Sequence, residues 1–306
     1  MFKRLLVPLD GLPESATALP VARAIKGNTS ATITLLRAVP SWECDDRAID
    51  HARRYLSGVA TALAGTNADV LACGIAQGDD VAKTIVHQAR ACESDLIVMA
   101  THARHGVERV ARESVAMQTL HLSPVPVVLV APGGVSVPRL RTILVPVDGT
   151  PAGEAVLDAA VALARASGGE IVLLRIVVPA PVDEYDPLLG EYAAGDGRIG
   201  FDAAALVGAQ HYIDDCTSRV RASEVEAQGF AILGGENDAI LEFAERVDAD
   251  LIAMSTHARA SIARSVLGSV ADSILREARR PVLMVRRDSP SRPYRQEPMA
   301  VSATAE

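Results

Sequence analysis

The chain writes one pattern twice, and this repeat limits its fold more than any other feature. "RLLVPLDGLPESA" from Arg4 aligns with "TILVPVDGTPAGEA" from Thr142, pairing Val7 with Val145, Pro8 with Pro146, Asp10 with Asp148 and Gly11 with Gly149. All four pairs share an offset of 138, as do "ATITLLRAV" and "GEIVLLRIV", where Arg37 faces Arg175. Further on, "SDLIVMATHAR" from Ser94 matches "ADLIAMSTHAR" from Ala249, and Pro126 matches Pro281, at an offset of 155. The second copy therefore carries 17 extra residues. The Pro-, Gly- and Asp-rich stretch 179–200 is the place for them. Two units are expected, over 1–134 and 140–287, meeting near "PGGVSVPRLR". Residues 288–306 lack periodicity and read as a disordered tail.

Within each copy, short β-branched runs alternate with longer Ala-rich segments. In the second copy the runs fall at 142–147, 170–177, roughly 230–233, 250–255 and 281–285. They are almost continuously apolar, as strands buried on both faces must be. Helical stretches are expected at 152–166, roughly 201–227, 239–247 and 269–278. Strands alternating with helices imply parallel strands joined by right-handed crossovers, so each copy is expected to be a five-stranded α/β unit. With 306 residues, 49 % of them hydrophobic and only 3 % aromatic, the chain can bury a large aliphatic core.

The formal charge of −8 argues against nucleic acid, whose binding draws on neutralising phosphates with Lys and Arg. No apolar run approaches the ~20 residues that cross a bilayer, and Asp10 interrupts the N-terminal apolar run before it could serve as a secretory signal. Cys44, Cys73, Cys92 and Cys216 show no zinc-like spacing and read as free thiols of a reducing compartment. A cytoplasmic protein without nucleic-acid or membrane partners is expected. The segment "SWECDDRAIDH" admits a metal site, but an acidic helix start accounts for it more simply.

In an open parallel α/β sheet, ligands bind beyond the carboxyl ends of the strands where the strand order reverses. Pro146, Val147 and Asp148 close the first strand of the second copy, Ile176 and Val177 the second. The fourth is followed by "STHA", with Ser255, His257 and Ala258, and the last helix opens on "GSV", Gly268 to Val270. A nucleoside phosphate suits this set. Asp148 would accept from base or ribose, and Val177 would offer an apolar edge. Gly268 would admit backbone close to phosphate, with the N–H groups of Ser269 and Val270 at the positive end of a helix. Each piece also has a plainer role: Asp148 as a turn former, Gly-Ser as a helix cap, His102 and His257 as loop hydrogen-bonders. No Walker loop or GxGxxG run is present. The first copy differs where it matters, with Glu113 at the place of Gly268.

Taken together, "VPLDG" and "VPVDGT", "DLIVMATHAR" and "DLIAMSTHAR", and "SVLGSVADSILREARRPVLMV" resemble the universal stress proteins, in a tandem form with two units per chain. The resemblance implies two Rossmann-like (adenine nucleotide alpha hydrolase-like) domains, each a parallel sheet of strand order 3-2-1-4-5 with helices on both faces. ATP-binding members carry G-x2-G-x9-G-[S/T] after the fourth strand. Here the second copy reads Ser255-x2-Ala258-x9-Gly268-Ser269, keeping the spacing and the final Gly-Ser, while the first reads Ala100-x2-Ala103-x9-Glu113-Ser114. The resemblance thus implies one ATP, with or without Mg2+, in the second unit of a stress-response regulator that acts through protein partners. The first unit would be degenerate. It also implies pairing of the units through their last strands as an intramolecular pseudo-dimer, with a homodimer of chains open. A scaffold that binds no nucleotide is the alternative reading. No nucleophile and base stand at short spacing, so a slow ATPase is the most enzymatic reading these residues support, and no catalytic residue is assigned.

Overall fold

The computed structural model describes residues 2–27, 29–43, 45–64, 70–78, 80–101, 114–135, 137–178, 203–256 and 268–286. In the N-terminal half, strands β1 (Arg4–Pro8), β2 (Thr32–Val39), β3 (Val70–Gln77), β4 (Leu96–Ala100) and β5 (Val127–Val130) alternate with helices. These are α1 (Pro13–Ala16), α2 (Ala18–Lys26), α3 (Asp46–Ala64), α4 (Val81–Ala91) and α5 (Val115–Leu122). The C-terminal half repeats the alternation with β6 (Thr142–Pro146), α6 (Leu157–Ser167), β7 (Glu170–Val177), α7 (Ala203–Arg221) and β8 (Ala227–Leu233). It closes with α8 (Glu236–Arg246), β9 (Leu251–Thr256), α9 (Ser269–Glu277) and β10 (Val282–Arg286).

All ten strands form one sheet of order β3-β2-β1-β4-β5-β10-β9-β6-β7-β8. Each half is parallel and has the order 3-2-1-4-5 expected from the sequence. The halves meet where β5 and β10 pair antiparallel, Val282 opposite Leu129 and Met284 opposite Val127. The repeat is carried into the register. Arg4 pairs with Thr32 and Thr142 with Glu170, while Leu5 pairs with Leu96 and Ile143 with Leu251.

Strand alternation sorts the core into two layers. Leu5, Val7, Ile143 and Val145 face the layer that includes residues of α2, α6 and α7. Leu6 and Leu144 face the one that includes residues of α4, α5, α8 and α9. Each layer runs without a break through both halves. A repeated clamp sets the starts of the central strands. The Asp95 carboxylate accepts from Lys3 N at 2.7 Å and Arg4 N at 3.0 Å, and Asp250 accepts from Arg141 N at 2.7 Å and Thr142 N at 3.1 Å.

Several element boundaries differ from the sequence expectation; the helix expected over 152–166 is a 3-10 turn over Gly153–Val156 followed by α6 from Leu157. The helix expected over 201–227 ends at Arg221, and the following strand begins at Ala227 rather than near Phe230. Gly229 is the reason: a Cβ there would stand 2.3 Å from Ile213 Cγ2 and 2.4 Å from Thr217 Oγ1, so the strand is glycine where α7 crosses it closely. The helix expected from 239 instead starts at Glu236. The 179–200 insertion and the 288–306 tail lie outside the described residues. Among the described residues, no helix is long and apolar enough to cross a membrane, and no three metal-binding side chains gather. At the acidic segment, Asp45 accepts from Ala48 N at 2.7 Å, a turn ahead of α3.

Candidate functional site

A cavity of about 180 Å³ opens at the carboxyl ends of β6, β7 and β9, roughly ten times the room one water needs. Its floor is aliphatic: Leu174, Ile176, Ile240, Met254 and Ala271 come from the buried layer beneath α8 and α9. Pro146, Val147 and Asp148 line one side and Ser255 another, while Gly268, Ser269 and Val270 bring up the start of α9. The structure thus gathers eight of the sequence-selected residues round one space. Val177 does not line it; of β7, Leu174, Arg175 and Ile176 do. His257 and Ala258 lie outside the described residues, as do His102 and Glu113.

The turn after β6 is held by short side chains. Asp148 Oδ1 accepts from Thr150 N at 2.9 Å and from Thr150 Oγ1 at 2.7 Å. Thr150 Oγ1 in turn accepts from Gly153 N at 3.0 Å, and Ser255 Oγ donates to Gly153 O at 3.3 Å. This chain of bonds ties the ends of β6 and β9 together across the cavity wall. Gly149 takes φ +80°, the left-handed region that favours glycine, and the Arg175 guanidinium lies against it. In the N-terminal half, Ser15 occupies the place of Gly153. Its hydroxyl donates to Leu12 O at 2.9 Å and accepts from Asp10 N at 3.3 Å.

Behind the cavity wall, Glu154 anchors the turn to α7. It accepts from Tyr212 Oη at 2.9 Å and pairs with Arg219 at 2.8 Å. Arg219 also donates to Cys216 Sγ at 3.0 Å. Burial, and then hydrogen bonds to Cys216 and Glu154, push the Tyr212 phenol far above its ordinary range, so it stays a neutral donor. The N-terminal half has Ala16 at the place of Glu154.

The clearest difference between the halves lies at the helix starts. The first N–H groups of any helix have no partner inside the helix. At α4 and α5 of the N-terminal half they are capped: Asp80 accepts from Lys83 N at 3.1 Å at the start of α4, and Ser114 accepts from Met117 N at 3.2 Å at the start of α5. In the C-terminal half the corresponding caps are Gly235 for α8 and Gly268 for α9, neither with a side-chain cap. Both uncapped ends border the cavity, through Glu236 and through Gly268 to Val270. The same serine changes role with this. Ser114 caps its helix, whereas Ser269 is the first helical residue of α9 and offers its own N–H.

Besides Leu174, Ile240, Met254 and Ala271 of the floor, sequence reasoning missed Gly153, Arg175 and Glu236 among the lining residues. Gly153 belongs to no motif, and its signal is only a distance of five residues from an aspartate it must not touch. Glu236 is hidden because "END" has no apolar period, so the sequence pattern starts the helix only at Ala239.

Comparison with known proteins agrees with the geometry. A model described as the universal stress protein family matches residues 1–131 and again 139–286. A universal stress protein of Methanocaldococcus jannaschii is 26 % identical over 147 residues, 48 % of this chain and 82 % of that one. Among solved structures, a universal stress protein from Archaeoglobus fulgidus superposes with TM-score 0.67 at 21 % identity, covering 92 % of this chain and 96 % of that chain. A protein of unknown function from Pseudomonas aeruginosa superposes with TM-score 0.65 at 16 % identity, covering 93 % and 92 %. At these identities the two structures speak for the fold. With the family pattern matched twice over nearly its whole length, the chain belongs to the universal stress protein family.

Proposed function

We propose that the chain is an ATP-binding regulatory protein of the stress response, with one nucleotide per chain in the C-terminal half. The observation that carries this reading is the pair of uncapped helix starts facing one cavity there, against two capped starts in the N-terminal half. Unpaired N–H groups at a helix start favour anions, so phosphates belong at Gly268–Val270. The ribose then falls beside Asp148 and the base over Ile176. Mg2+ is ordinarily held by phosphates, waters and one or two carboxylates; Asp148 is the carboxylate at the end of β6 that would serve it. Nucleotide occupancy would set the surface that protein partners read. The free thiols Cys92 and Cys216 suit the reducing cytoplasm.

Ser255 and Ala258, in place of two glycines of the family's ATP pattern, favour the second reading, a scaffold that binds no nucleotide. Counting nucleotide released from denatured purified protein, and titrating stripped protein with ATP calorimetrically, separates the two. One ATP per chain is expected. Gly268→Glu should weaken it by about fivefold or more, since a carboxylate ~4 Å from a phosphate charge costs about 1–4 kcal/mol. Two nucleotides per chain would contradict the assignment to one half. No nucleotide and no heat at millimolar ATP would leave the scaffold reading.

A further inference from the structure

The cavity's wall holds one group that an anion site does not need. Glu236, the first residue of α8, lines the cavity and is half-buried. Among the described residues its carboxylate has no hydrogen-bond or ion-pair partner. The cavity lining includes the apolar Ile176 and Ile240, and the Arg175 guanidinium, which also lines it, lies against Gly149 and makes no ion pair with Glu236. A carboxylate at the edge of an apolar cavity is poorly served by water and calls for a donor. Phosphate cannot be that donor, because it would add negative charge. Next to the carboxylate stand the N–H groups of the first turn of α8, which Gly235 leaves without a side-chain cap. Helix α8 follows β8 and packs over β7, so this acceptor and these donors sit on the β7 side of the cavity, while the start of α9 follows β9.

We propose that Glu236 is the residue that selects the base. The inference rests on the nucleotide reading of the same cavity. With phosphates at α9, the base lies over Ile176 and turns its edge to α8. Adenine presents there an amine that donates and, beside it, a ring nitrogen that accepts. The carboxylate of Glu236 takes the first and a first-turn N–H of α8 serves the second. Hypoxanthine reverses both groups, with a carbonyl oxygen where the amine was and an N–H where the acceptor was. It would set oxygen against carboxylate and N–H against N–H. The N-terminal half has neither part of this reader: Val81 stands where Glu236 does, and Asp80 already occupies an N–H of α4.

The test is a calorimetric titration of the full chain with ATP and with ITP, which share ribose and triphosphate and differ only at that edge. Wild type should bind ATP about tenfold or more tightly than ITP, the ratio a lost charged hydrogen bond gives. Glu236→Gln keeps the side chain's volume and offers an amide N–H to the carbonyl of hypoxanthine. It should weaken ATP and strengthen ITP, bringing the ratio to within about threefold. Glu236→Ala should narrow the ratio as well, weakening ATP by the lost hydrogen bond and relieving the repulsion that holds ITP off. Equal affinity of wild type for ATP and ITP would overturn the proposal, as would variants that weaken both nucleotides alike, the mark of a merely structural residue. Binding of neither triphosphate by wild type would overturn the nucleotide reading together with it, whereas ATP binding with an unmoved ratio would overturn this proposal alone.

Discussion

An added Cβ at Gly153 would stand 2.1 Å from Asp148 Oδ1, whereas one at Gly268 would meet nothing within 4 Å among the described residues. Gly268 also has an ordinary φ of −52°. The fold therefore demands glycine at 153 and only tolerates it at 268, where on the proposed nucleotide reading the missing side chain leaves room for phosphate. Gly153→Ala is expected to force the Asp148–Thr150 turn apart at a cost of about 1–3 kcal/mol, as overpacking at a tight site does. Gly268→Ala should cost no more than about 1 kcal/mol, the difference between glycine and alanine as helix caps, and still weaken ATP several-fold. Denaturant unfolding and calorimetry on both variants check the pair. Equal stability losses at the two positions would show that Gly268 serves the fold after all.

At the scale of the element, a capped helix start is a stability device, whereas an open one leaves its N–H groups free for a ligand, as the proposed function has it. Asp80→Ala should cost about 1 kcal/mol, the ordinary worth of such a cap. The cap is also a titration. The N–H of Lys83, more than any other group, holds the Asp80 carboxyl below its ordinary value of 3.8. Its stabilisation is thus whole above that pH and fades as pH falls through the lower folded-state value. Melting curves of wild type and Asp80→Ala should lie apart at neutral pH and converge in strong acid; a gap independent of pH would mean the carboxylate is not the capping group. Much at this scale was legible in the sequence. The strand order, the equivalence of the halves and the residues at β6, β9 and α9 follow from repeated motifs. Three things were not. Gly229 reads as a break until α7 is seen crossing it. Val177 and Ile176 are chemically alike, and only the folded cavity separates them. Glu236 lies in a polar triplet whose helical character comes from packing rather than pattern. Motifs record where chemistry recurs, and these residues owe their places to a single neighbour each.

At the scale of the molecule, the antiparallel seam of β5 and β10 turns two sheets into one. A half on its own would expose a buried strand as an open edge, which invites aggregation, and the seam removes that edge from both. Leu129, opposite Val282 and 2 % exposed, is a test of how far this couples them. Leu129→Ala should cost about 2–5 kcal/mol and lower a transition shared by both halves. The reactivity of buried Cys216, which lies in the other half, should rise at the same denaturant concentration as the loss of helical signal. Cys216 protected beyond that point would show halves that melt independently. The seam has a further consequence in heredity. An assembly of two identical chains carries every substitution twice, so a site cannot be lost on one side without being lost on both. Once the two sides are written in succession in a single gene, each codon changes one side only. The capped helices of the first half and the open ones of the second are differences that only such a joined molecule can pass on.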